Sequence, residues 1–153
     1  MAFQIHGLPA APFEPLFALD DTALAAHQAV RRVADSSPGY PCRVSLRDAA
    51  PGEILVLVHF EHHAAASPFR ASHAVYVREH AEPAVLAVDE VPVMLRSRLL
   101  SLRAFDAAGM LLEADVVDGK DLDPALDRMV QRAAYVHIHF AKPGCYAARA
   151  TAV

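Results

Sequence analysis

Residues 135–149 read YVHIHFAKPGCYAAR. The run from Tyr135 to Phe140 alternates, sending Tyr135, His137 and His139 to one face and Val136, Ile138 and Phe140 to the other. That is the period of a strand with one face in the core. Pro143 and Gly144 then mark a turn, and the chain returns through Cys145 to Arg149, so the stretch predicts a closing β-hairpin. With Pro143-Gly144 as a two-residue tip, Lys142 pairs with Cys145, His139 lies opposite Ala148 and His137 opposite Ala150. Small residues would then leave room beside both imidazoles, although a bulge would shift this register by one.

Working outward, FQIHGL (3–8) predicts a first strand, and DDTALAAHQAVRRVADS (20–36) predicts a helix capped by Asp20 or Asp21. The helix ends at SSPGYP, which no helix crosses intact. CRVSL (42–46), GEILVLVHFEHH (52–63) and ASHAVYVRE (71–79) predict three strands, rich in Val and aromatics and separated by turn residues. VPVMLRSRLL (91–100) fits a short helix opening on Pro92. Residues 100–117 predict a hairpin turning at Asp106 to Gly109, and DLDPALDRMVQR (121–132) a last helix. The expected fold is a single α+β domain over 1–153: a largely antiparallel, mixed β-sheet with about three helices packed on one face. A doubly wound parallel sheet needs a helix between nearly every pair of strands, and residues 42–79 contain none.

The 153 residues are 54% hydrophobic, ample for one core, and carry a formal charge of −4 from 14 basic and 18 acidic side chains. With no basic run, the chain offers little counterion-release energy to a polyanion, so no nucleic-acid partner is expected. No run of about 18 apolar residues and no basic, apolar leader occur, which points to a cytoplasmic protein with no membrane partner. Cys42 and Cys145 match no C-x-x-C spacing and are expected as free thiols, with a disulfide as the alternative.

Three sets of residues could carry chemistry. His137 and His139, spaced i, i+2, could move protons near neutrality, or hold a transition metal such as zinc or iron if His59, Glu61 or His73 supplied a third ligand. The metal-free role is preferred. Cys145 could attack an electrophile if Arg43, Arg149 or a histidine activated it, whereas Cys42 reads as a small buried hydrophobe. Arg43, Arg78, Arg103 and Arg149 fall inside apparent strands, where each must snorkel, pair with a carboxylate such as Glu79, Asp106 or Asp115, or bind an anion through its fork. His73 follows Ser72, but adjacent strand residues face opposite ways, so the two form no dyad. No G-x-S-x-G, Walker A, G-x-G-x-x-G or H-E-x-x-H pattern occurs.

GYPCRVSL (39–46), RASHAVYVRE (70–79), LSLRAFDAAGM (100–110) and YVHIHFAKPGCYAAR (135–149), in this order and spacing, resemble the bacterial family called domain of unknown function 1203. The resemblance implies a small, cytosolic, single-domain bacterial protein and brings no activity with it. The shared blocks contain Cys42, Arg43, His73, Arg78, Arg103, Asp106, His137, His139, Cys145 and Arg149. Phe140 departs from the family pattern, in which members tend to carry Asn.

Two classes of function follow. One is a small-molecule site in which Arg43, Arg78, Arg103, Arg149, His73 and Cys42 bind an anionic ligand while His137, His139 and Cys145 act on it. It requires the arginines and the histidine pair to converge on one pocket. The other is a non-catalytic interaction or regulatory module, such as a homodimer, acting through a His/Tyr-rich sheet face.

Overall fold

The C-terminal hairpin lies inside a five-stranded sheet in the computed structural model of the protein, which describes residues 2–153. In chain order the elements are β1 (Phe3–His6), α1 (Asp21–Ala26), β2 (Ala29–Val33), β3 (Ile54–His63), β4 (Ala71–Arg78), α2 (Val93–Arg96), β5 (Leu99–Phe105), β6 (Leu111–Asp118), α3 (Leu122–Val130), β7 (Tyr135–Phe140) and β8 (Tyr146–Ala152). The strands form two sheets, ordered β1-β8-β7-β5-β6 and β2-β3-β4, and every pairing is antiparallel. The expected α+β, antiparallel character is therefore present, but two sheets replace the single one, and the helices are divided between them. α3 packs against the five-stranded sheet, whereas α1 lies beside β2.

α3 buries Leu122, Ala125, Leu126, Met129 and Val130, the i, i+3, i+4, i+7, i+8 stripe of an amphipathic helix. These side chains meet Leu100, Leu102, Val136 and Ile138 in the larger core, and fully burying each large apolar side chain contributes about 1.5–3 kcal/mol. The apolar trio of β7 therefore faces inward as its alternation requires. A second core joins Val56, Val58, Val75 and Val77 to Phe13, Leu16 and Leu24.

Three local expectations change. The segment 20–36 is helical only over Asp21–Ala26, with Asp20 accepting from the Ala23 amide at 2.8 Å. Gln28 then turns through the left-handed region (φ 54°), and the next five residues pair with β3 from Ala29↔Val58 to Val33↔Ile54. Ladder bonds and the β-branched Val30 and Val33 outweigh the helix propensity of the alanines upstream. CRVSL is a tight turn in place of a strand: the Leu46 amide donates to the Cys42 carbonyl at 3.0 Å, with Leu46 at φ 55°. That conformation costs a non-glycine residue about 1–2 kcal/mol, offset by burial of the Leu46 side chain.

The third change is the hairpin register. Four residues, Ala141 to Gly144, form the loop, since the Phe140 amide donates to the Cys145 carbonyl at 2.9 Å, and Gly144 adopts φ 80°. His139 pairs with Tyr146 and, beyond a bulge at Ala147, Ile138 pairs with Ala148 and His137 with Arg149. Ala148 and Ala150 thus face the core, and the neighbours of the histidines are Tyr146 and Arg149.

Candidate functional site

The turn at Cys42–Leu46 drives Arg43 between the sheets. Its amide donates to the Tyr76 carbonyl at 3.0 Å on β4, and its own carbonyl accepts from the Leu8 amide at 2.8 Å. The side chain is 1% exposed. Nε donates to the Tyr146 carbonyl at 2.8 Å, Nη1 to the Pro41 carbonyl at 2.7 Å, and Nη2 to Cys145 Sγ at 2.9 Å. Among the described residues no carboxylate pairs with it. Burial lowers the Arg43 pKa, an effect opposed by the neighbouring sulfurs of Cys145 and then Cys42, and reinforced by Arg98.

Arg43 and Cys145 form one wall of a cavity of about 550 Å³ at the tip of the C-terminal hairpin. Arg98 and Lys142 bring further positive charge. Arg98 is held by both oxygens of Asp48, at 3.0 and 2.6 Å, whereas Lys142 is exposed and unpaired among the described residues. The guanidinium carbons of Arg43 and Arg98 lie 5.1 and 5.0 Å from the ring centroid of the buried Phe140, within cation–π range. Across the cavity, His73 and Tyr76 come from β4. His73 Nδ1 accepts from the Ala74 amide at 2.8 Å, so in the neutral ring the proton is on Nε2.

A second, neighbouring site holds the histidine pair. His62 and His63 at the end of β3 cover the face of β7 that carries Tyr135, His137 and His139, with ring centroids 5.1 Å apart for His62–His139 and for His63–His137. Tyr146 stacks on His62 at 5.2 Å. His139 Nδ1 donates to the Gly144 carbonyl at 3.0 Å, and His63 bridges the Phe69 carbonyl (2.8 Å, from Nδ1) and the Tyr135 hydroxyl (2.7 Å, at Nε2). The Nδ1 atoms of His62 and His137 are buried without a hydrogen-bond partner. Burial is the first cause that pushes His137 down to about 2, His139 to about 3 and His62 to about 4, so all three are neutral at pH 7. Cavities of about 220 and 420 Å³ flank this cluster, the smaller touching Arg103 and the larger Arg149. The Arg149 guanidinium carbon lies 4.7 Å over the ring of Tyr135.

The sequence-derived residues thus divide between two neighbouring sites and do not converge on one. Arg43, His73 and Cys145 meet at the first cavity, and His137, His139, Arg103 and Arg149 at the second. Arg78 donates twice to Glu53, with Nε at 2.7 Å, and serves the structure away from both. Cys42 is fully buried, its sulfur accepting from the amides of Ser45 and Arg78 at 3.5 and 3.4 Å. His59 and Glu61 are exposed, and Glu61 pairs with Arg70 at 2.7 Å. Among the described residues no three His, Cys, Asp or Glu side chains are grouped to hold a metal ion. Both cysteines are free.

Arg98, Lys142, His62 and His63 escape the sequence reading. A bulge between Phe60 and His63 hides the last of these, because strict alternation would leave His63 with the exposed His59 and Glu61. The model of the family described as "Protein of unknown function (DUF1203)" matches residues 39–151, and the chain belongs to that family. Every residue lining the first cavity, from Gly39 to Cys145, falls within the match. No curated protein and no solved structure shows a significant match to the chain. No described helix is long and apolar enough to cross a membrane.

Proposed function

We propose that the protein binds a small anionic molecule in the cavity between Arg43, Arg98, Lys142 and His73. The observation that carries this reading is Arg43: a guanidinium withdrawn from water, with no carboxylate to balance it, on the wall of a cavity large enough for a metabolite. Burying a charge is expensive unless it is paired, and an incoming carboxylate or phosphate supplies the missing negative charge. Arg98 is already engaged by Asp48, so it reinforces the positive field. Lys142 stands at the exposed hairpin tip, placed to meet the ligand as it enters. Apolar lining from Leu57, Leu99 and Phe140 suits the carbon skeleton of an organic anion.

In this reading His73 faces the ligand, while His137 and His139 belong to the packed cluster behind it. That cluster lies under β3, so its face is covered by the chain itself. Two unpaired thiols suit the reducing conditions of a cytoplasm. The test is calorimetric titration with inorganic phosphate, succinate and citrate, against chloride at matched ionic strength. At least one anion should bind with saturation, and Lys142→Glu should weaken it tenfold or more. Equal, non-saturating responses to all salts would remove the anionic ligand.

A further inference from the structure

We infer that Cys145 is a covalent nucleophile whose substrate is an anionic compound bearing an electrophilic carbon and a leaving group. The inference rests on the anion-binding reading above and gives that cavity its reaction. Cys145 lines the same cavity as Arg43, Arg98, Lys142 and His73. Cys145 is 8% exposed, its sulfur accepts from Arg43 Nη2 at 2.9 Å, and no carboxylate pairs with Arg43 among the described residues. The guanidinium thus sets its positive charge against the sulfur, a geometry suited to a cysteine nucleophile. Cys42, fully buried, has only backbone amides at its sulfur and lines none of these cavities, so it reports a thiol that lacks both the guanidinium and the cavity.

In the same lining, the Nδ1 lone pair of His73 is occupied by the Ala74 amide, which leaves Nε2–H free to donate. The thiol proton goes to solvent, the sulfur lone pair forms a C–S bond, and the leaving group departs with its bonding pair, steadied by a hydrogen bond from His73 Nε2–H, and takes a proton from solvent. For an acyl substrate the product is an S-acyl Cys145, which water or an amine then cleaves, restoring the thiol. The cations select the substrate and Arg43 lies against the sulfur, so recognition and reaction use one cluster of charge.

The experiment compares alkylation by iodoacetate and by its neutral isostere iodoacetamide at pH 7, followed by peptide mass spectrometry, in the folded protein and in the same protein in urea. Cys145 should react at least tenfold faster than Cys42 in the folded state. Its iodoacetate-to-iodoacetamide ratio should exceed that of the unfolded chain at least fivefold, and Lys142→Gln should lower the ratio. An anionic succinyl thioester should add one succinyl group to Cys145, more slowly in His73→Leu, which removes the hydrogen-bond donor. A Cys145 that labels no faster than Cys42 overturns the nucleophile, and the titrations with phosphate and succinate still judge anion binding alone. Fast labelling at a ratio no higher than in urea keeps the nucleophile and overturns the anionic class of substrate.

Discussion

Arg43 donates Nη2–H to Cys145 Sγ at 2.9 Å, joining residues 102 apart in sequence. The same guanidinium satisfies the carbonyls of Pro41 and Tyr146, so one side chain ties the tight turn before β3 to the start of β8. Replacing it with an isosteric apolar chain strands both carbonyls. Arg43→Met should lower stability by about 2–4 kcal/mol, the sum expected for two unsatisfied buried acceptors, read as the urea midpoint. Arg43→Lys keeps the charge but lacks the three-way fork, and should fall between wild type and Met.

Acid should weaken the protein before its carboxylates titrate. His137 and His139 are neutral when folded because burial holds them at about 2 and about 3, against about 6.5 in an unfolded chain. The folded state therefore binds fewer protons, and stability is complete above pH 6.5 and falls as the pH drops below it. Between about pH 6.5 and 4.5 each of these histidines should remove about 1.4 kcal/mol per pH unit. Chemical denaturation at pH 7.5, 6 and 5 measures the slope, and His137→Gln should reduce it. An unchanged urea midpoint from pH 7.5 to 5 would mean that the cluster is not held neutral.

The hairpin loop gives a cleaner backbone test. Gly144 sits at φ 80° with nothing within 4 Å of an added Cβ, so substitution there probes conformation alone. Gly144→Ala should destabilise by about 1 kcal/mol, and Gly144→Asn by less, since Asn tolerates the left-handed region. A two-residue Pro143-Gly144 tip would place different demands on Lys142 and Cys145, so mutants at those positions with unchanged main-chain amide exchange at Phe140 support the four-residue loop.

A contrasting result is expected at Gly119. A Cβ there would collide with the Leu95 carbonyl oxygen, where α2 meets the turn before α3. Backbone cannot yield as a side-chain tip can, so Gly119→Ala should cost more than Gly144→Ala, about 2–4 kcal/mol, in the range of severe overpacking. Thermal unfolding of the two variants side by side ranks them.

Elements whose signal is local were legible in the sequence. α3 has its apolar stripe and Pro124 in the first turn, and the β5–β6 hairpin has Gly109 at φ 78°. The segment 20–36 misled because alanines favour a helix while the decisive partner, β3, lies more than twenty residues on. Alternation in β3 and β7 indicates which residues share a face, but not which sheet a strand joins, so the separation into two sheets was hidden. At the sites, residue type singled out Arg43, His73 and Cys145, whose chemistry is unusual where it stands. Arg98 and Lys142 have ordinary surface identities, and only the fold brings them to the cavity. The hairpin register was off by two at His139, because the loop holds four residues in place of two, and the bulge at Ala147 brings it within one at His137.

β8 lies between β1 and β7, pairing Phe3 with Ala152 and Ile5 with Ala150. β1 thus waits for a strand made about 140 residues after it. Such pairing closes a long loop before it gains any contact, which slows folding and leaves β1 without a ladder partner in the meantime. The bond from Arg43 to Cys145, 102 residues apart, depends on the same late segment. Until β8 docks, Cys145 lacks its Arg43 contact and its burial, so its accessibility to an alkylating reagent during refolding times that docking.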